Sequence, residues 1–106
     1  KMKRFACHRV YKTPDIFQGQ SVIEINDKGE VITCSLLNNE TNYTEWIGGV
    51  VVLSSDDELF LENNFKYFLQ KNCSQDQGNP VFAWHISPFD FEKEDYLPIS
   101  RLKRLH

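Results

Sequence analysis

Residues 48–53 read Gly-Gly-Val-Val-Val-Leu, and few architectures can accommodate such a run. Valine is β-branched and stiff at χ1, which favours extended chain over helix. Successive side chains of a strand point to opposite faces, so three valines in a row place apolar groups on both. A strand of that kind must be covered from two sides. Trp46 to Leu53 is therefore read as a doubly buried strand, which requires one layer of structure on each side of its sheet.

The flanking segments supply candidates for those layers. Ser-Val-Ile-Glu-Ile-Asn, then Asp-Lys-Gly-Glu, then Val-Ile-Thr-Cys-Ser-Leu-Leu alternates around a tight polar turn and predicts a hairpin. Its arms carry Val22, Ile23 and Ile25, then Val31, Ile32, Cys34 and Leu36, with Cys34, Ile32 and Leu36 expected on the apolar face. Gly29 supplies the positive φ of a type I turn with a bulge. Arg4 to Tyr11 has strand composition and closes on the turn Thr13-Pro14-Asp15. Asn38 to Asn42 reads as polar loop, and Val81 to Ile86 as another strand.

At Ser55 the apolar period changes. Ser55-Asp56-Asp57-Glu58 fits a capping box. Leu61, Phe65, Phe68 and Leu69 then recur at helical spacing, with Asn63, Asn64 and Lys66 outside. These two signals predict a helix over about 56–71, ended by the polar stretch Asn72 to Pro80. Pro98-Ile99-Ser100 reads as extended chain, with Ser100 capping a short helix over Arg101 to Leu105 within a basic tail, residues 100–106. The expectation is one α+β domain over residues 1–106: a small antiparallel or mixed β-sandwich, or half-open barrel, of about six strands with one amphipathic helix.

Composition narrows the functional classes. With 41% hydrophobic and 25% charged residues, the chain has the balance of a folded globular protein. Its longest apolar run, Ile47 to Leu53, is far short of a membrane-spanning segment, so no membrane partner is expected. A formal net charge of −3 disfavours nonspecific nucleic-acid binding, which relies on clustered cations. Cys7, Cys34 and Cys73 are odd in number and lack CxxC spacing, which points to a reducing, cytoplasmic setting. Asn39, Asn42 and Asn72 each open an Asn-x-Ser/Thr triplet, read as chance without an export signal.

Few residues suggest chemistry. His8, His85 and His106 have no mutual HxH or HExxH spacing, and His85 is read as a histidine at a sheet surface. Cys7 and His8 are neighbours on a strand and so point apart. Gly48-Gly49 lacks the third glycine and following helix of a phosphate loop. Asp56, Asp57 and Glu58 suit a helix N-terminus, where the dipole favours negative charge. The aromatic group Phe82, Trp84, Phe89, Phe91 and Tyr96 is expected either under the helix or at a protein contact. A metal centre, if present, would use His8, His85 and a carboxylate such as Asp90.

The order strand, hairpin with an Asp-x-Gly turn, loop, then Ile-Gly-Gly-Val-Val-Val resembles the N-terminal part of the β-sandwich "composite" domain of amidohydrolase-type metal-dependent hydrolases. Val81 to Ile86 and Pro98 to Leu105 are similar to the segment with which that family completes its sandwich after a TIM barrel. In the family the glycine pair continues into Pro-Gly-Phe and a metal-binding His-x-His. Here Leu53, Ser54 and Ser55 stand at the first motif, and Leu59 and Leu61 at the histidines. The resemblance thus implies a stand-alone sandwich without the barrel and its metal ligands. The function expected is a non-catalytic interaction or structural module, without catalytic residues, cofactor or bound metal, acting on a protein partner or as a homodimer. A small metal-dependent hydrolase using His8, His85 and Asp90 is the alternative. Anion or nucleic-acid binding through Arg101, Lys103 and Arg104 is a third reading.

Overall fold

The computed structural model describes residues 1–38 and 43–106; most of the expected polar loop, with Asn39 and Asn42, lies outside the described residues. The double burial expected of Trp46 to Leu53 holds for Val50 to Leu53 but not for Trp46, which ends a separate strand and is exposed. Every residue of β7 (Val50–Ser54) is buried. Val51 and Leu53 enter one apolar cluster with Phe5, Cys7, Val10, Ile23, Ile25, Ala83 and Leu105. Val50 and Val52 enter a second, with Tyr11, Phe65, Phe68, Leu69, Trp84, Ile86 and Phe89.

Two sheets and a helix create these clusters. The first sheet has the order β5-β4-β1-β6, made of β1 (Lys3–Cys7), β4 (Ser21–Ile25), β5 (Val31–Leu36) and β6 (Thr44–Trp46). The second has the order β3-β2-β7-β8-β9, made of β2 (Arg9–Tyr11), β3 (Phe17–Gln18), β7, β8 (Phe82–Asp90) and β9 (Asp95–Arg104). One cluster lies between the sheets. The other lies between the second sheet and α1 (Phe65–Asn72). The α+β class and sandwich-like architecture expected above are those observed, and the sandwich is not a closed barrel. No described helix is long and apolar enough to cross a membrane.

Nine strands replace the expected six among the described residues. Two long predicted strands each bend into two, giving β1 with β2 and β6 with β7, and the two-residue β3 is added. The β4–β5 hairpin forms as predicted: Gly29 has φ +80°, and Asn26 Oδ1 accepts from the Lys28 and Glu30 amides, each at 2.9 Å. Cys34 pairs with Ile23 and packs on the inter-sheet core. Ile32 and Leu36 do not share its burial; at a bulged edge strand they are 47% and 61% exposed.

Two further predictions are corrected. The helix does not begin at Asp56 but at Phe65, where Asn64 is the N-cap and its Oδ1 accepts from Tyr67 N at 2.8 Å. The expected capping serine is engaged elsewhere: Ser55 Oγ accepts from Asp76 N at 2.8 Å, while Trp84 Nε1 donates to Asp56 O at 3.1 Å. Residues 55–64 are irregular, and Leu59 is buried from that loop. The helical stripe keeps Phe65, Phe68 and Leu69. A fully buried phenylalanine such as Phe68 contributes about 2–3 kcal/mol through removal of its apolar surface from water.

The second correction concerns the tail. Residues 101–104 are strand, not helix, because β9 pairs with β8: Ser87 faces Arg101, Ile86 Leu102, His85 Lys103 and Trp84 Arg104.

Candidate functional site

Sequence reasoning singled out the glycine pair and His85, and the structure brings them together with His8 where the chain passes between sheets. β1 and β6 run parallel in the first sheet, and β2 and β7 run parallel in the second. Two adjacent segments therefore cross side by side. Their ladder persists through the bend: Ile47 N donates to Ala6 O at 2.8 Å, and His8 N donates to Gly49 O at 3.1 Å.

The glycines make the crossing possible for different reasons. Both have positive φ, +64° at Gly48 and +63° at Gly49, a region that L side chains disfavour. At Gly48 an added Cβ would meet its nearest neighbour, His8 Cε1, at an ordinary 3.5 Å. At Gly49 it would lie 2.5 Å from Ile86 O and 3.1 Å from His85 Nε2. Gly49 thus lets β8 approach closely, and Gly48 supplies only conformation.

His85 closes the crossing from β8. Its Nε2 lies 3.0 Å from Gly48 O; a carbonyl only accepts, so Nε2 carries the hydrogen. Burial pushes the imidazole below its ordinary pKa, opposed by its hydrogen bonds to the Gly48 and Ile47 carbonyls and assisted by nearby Lys103. The ring is therefore mainly neutral at pH 7. His8 packs edge-on against Trp46 and Phe91, with each ring centroid 4.8 Å away. Its Nδ1 is buried and has no hydrogen-bond partner among the described residues.

The proposed third metal ligand does not join these histidines. Asp90 Oδ1 accepts from Glu92 N at 3.1 Å and Lys93 N at 3.0 Å, closing the β8–β9 turn. Among the described residues, no three His, Cys, Asp or Glu side chains are grouped to hold a metal ion. Asp56, Asp57 and Glu58 lie in the irregular segment before α1 and not in a helical turn.

The thiols also serve the fold. Cys7 Sγ donates to Arg9 O, and Cys73 Sγ to Tyr11 O, both at 3.3 Å. Burial pushes both pKa values up to about 12. Burial raises the Cys34 pKa too, while Lys12 opposes it. Thiols held protonated are poor nucleophiles. Cys7 lies in the inter-sheet core and His8 among aromatic rings, so the adjacent pair does not form a thiol–imidazole couple.

No family model, curated protein or solved structure matches the chain.

The basic tail is rearranged relative to expectation. Cross-strand partners share a sheet face, so Arg101 and Lys103 lie with Ser87 and His85 on the side towards the first sheet. Arg104 is on the other side, with its guanidinium carbon 5.0 Å from the Phe82 ring centroid. The expected basic trio is thus divided. A strand reading of residues 100–104 would have revealed this, because Arg101 and Lys103 are two positions apart. Beside Lys103 lies a cleft of about 600 Å³ between β6 and β9, lined in part by Lys3, Trp46, Ile47, His85, Lys103 and Leu105. The aromatic group from β8 and β9 is mostly internal: Trp84 and Phe89 are buried, and Phe82, Phe91 and Tyr96 pack against the helix-side cluster. Trp46, a residue to which the sequence reading gave no site role, is 49% exposed at the cleft.

Proposed function

We propose that this chain is a non-catalytic module that acts through contact with another protein, as its resemblance to the composite domain of metal-dependent hydrolases suggests. The observation that carries this reading is how His85, Asp90, Cys7 and Cys73, at the sheet crossing and beyond it, are engaged. His85 donates to the Gly48 carbonyl, Asp90 closes a turn, and Cys7 and Cys73 donate to backbone carbonyls. Each of these groups stabilises a bend, a turn or a strand. Apolar side chains at the sheet edges, Ile32, Leu36 and Trp46, leave surface for a partner. The three free cysteines suit work in the cytoplasm, where thiols stay reduced.

Two measurements on the purified protein test the reading. Metal analysis is expected to find no stoichiometric transition metal, and mass in solution with partners recovered from the source cell is expected to reveal a defined complex. Stoichiometric zinc or manganese, lost in a folded His85→Ala variant, would overturn the proposal in favour of a small metal-dependent hydrolase.

A further inference from the structure

The edge of β9 differs from the other sheet edges in length and charge. β9 has ten residues and pairs with β8 on one side; among the described residues it forms the outer edge of its sheet. An edge strand presents unpaired backbone N–H and C=O groups, which can template an added strand. Pro98 has no N–H, so the stretch able to pair is residues 99–105. Leu105 still belongs to the ladder, with its N–H donating to Ala83 O at 2.9 Å.

Side-chain alternation along this edge specifies an occupant. Arg101, Lys103 and Leu105 occupy every second position on the face towards the first sheet, and Lys103 and Leu105 line the cleft. Arg101 and Lys103 are exposed, and Lys3 joins Lys103 at the cleft. This local positive charge belongs to a chain whose net charge is −3. Glu45 is the acid in the cleft lining. A second copy paired through the same edge would bring Arg101 and Lys103 against their own counterparts, and like charges directly opposite are destabilising. Acidic side chains complement them.

We infer that the β9 edge is a docking site for an extended acidic segment of a partner protein, added antiparallel to residues 99–105. Directly opposed residues share a face, so the incoming strand reads, from its N-terminus, apolar-x-acidic-x-acidic. The apolar side chain lies opposite Leu105 and enters the cleft towards Ile47 and Trp46. The two acids lie opposite Lys103 and Arg101. This site rests on the protein-contact reading above and gives that contact a place and a chemistry.

The test uses the full chain and a fluorescein-labelled synthetic peptide, Thr-Leu-Thr-Glu-Thr-Glu-Thr, followed by anisotropy. Three controls accompany it: the peptide with Lys for Glu, the peptide N-methylated at alternate amides, and a Lys66→Glu/Lys93→Glu protein with the same change in net charge. The acidic peptide is expected to bind saturably, about tenfold or more weaker at 0.5 M than at 0.05 M salt. Arg101→Glu/Lys103→Glu is expected to abolish binding while keeping the native circular dichroism spectrum, and Lys66→Glu/Lys93→Glu to retain most of it. Both control peptides are expected to fail, the N-methylated one because strand addition requires backbone hydrogen bonds. Absence of saturable binding, equal binding of the lysine peptide, or indifference to Arg101→Glu/Lys103→Glu would overturn the site. If a natural partner still binds Arg101→Glu/Lys103→Glu, the protein-contact reading survives and this docking site does not.

Discussion

Replacing Gly49 by alanine tests the account of the sheet crossing, because one added carbon incurs two separable penalties. The first is conformational: at φ +63° an L-residue loses about 1–2 kcal/mol. The second is steric, since the new Cβ would lie 2.5 Å from Ile86 O. That carbonyl belongs to β8, whose Ile86 pairs with Val50 at the start of the doubly buried strand. Relief requires β7 and β8 to separate locally, which costs about 1–3 kcal/mol by analogy with overpacked cores. Together the two effects destabilise by about 2–5 kcal/mol, a large part of the 5–15 kcal/mol typical of a folded domain. Gly48→Ala provides the internal comparison. Its φ is nearly the same, but its nearest Cβ neighbour is at 3.5 Å, so only the conformational cost of about 1–2 kcal/mol applies. Equilibrium urea unfolding, followed by tryptophan fluorescence, measures both variants against wild type. Gly49→Ala is expected to lose at least about 1 kcal/mol more than Gly48→Ala. Equal losses, or a milder effect at Gly49, would refute the close-approach argument.

Three further outcomes are expected. Asn64→Ala removes the helix N-cap and should cost about 1 kcal/mol in urea unfolding; an unchanged midpoint would contradict the helix start at Phe65. Cys7 and Cys73, with pKa values pushed up to about 12 by burial, should react with a chromogenic disulfide reagent at neutral pH only on unfolding; rapid reaction of all three thiols in native protein would count against this. Burial lowers the folded pKa of His85 below its ordinary 6.5, so the unfolded chain binds the proton more readily. The associated stability is present in full above pH 6.5 and is lost as pH falls through the folded pKa. Urea midpoints across that range should therefore decline less steeply in His85→Gln than in wild type, and parallel profiles would remove His85 as the cause.

How far the sequence could be read depended on the range of the interaction involved. The β4–β5 hairpin was legible because its turn chemistry is local: Asn26 and Gly29 set the bend between alternating arms. The burial of Phe65, Phe68 and Leu69 was legible for the same reason, since helical spacing places them on one side. The helix start was not. Ser55 satisfies a capping pattern, yet its hydroxyl accepts from Asp76, a residue 21 positions away. The histidines were joined only in the alternative metal reading with Asp90, because nothing local indicates that two segments bend side by side at His8 and Gly49. His85 then reaches Gly48 from a strand 37 positions on.

The tail shows the same division most clearly. Pattern and composition alone established the α+β class, a valine strand in need of two covering layers, and a chain end rich in cations. Tertiary pairing with β8 drew residues 101–104 into a strand, placing Arg101 and Lys103 on one face and Arg104 on the other. Local propensity differs by only fractions of a kcal/mol per residue between helix and strand, whereas a strand partner supplies ladder hydrogen bonds and packing in every pair. Where those contributions are available only from distant residues, the assembled fold sets the conformation and the side on which each charge emerges.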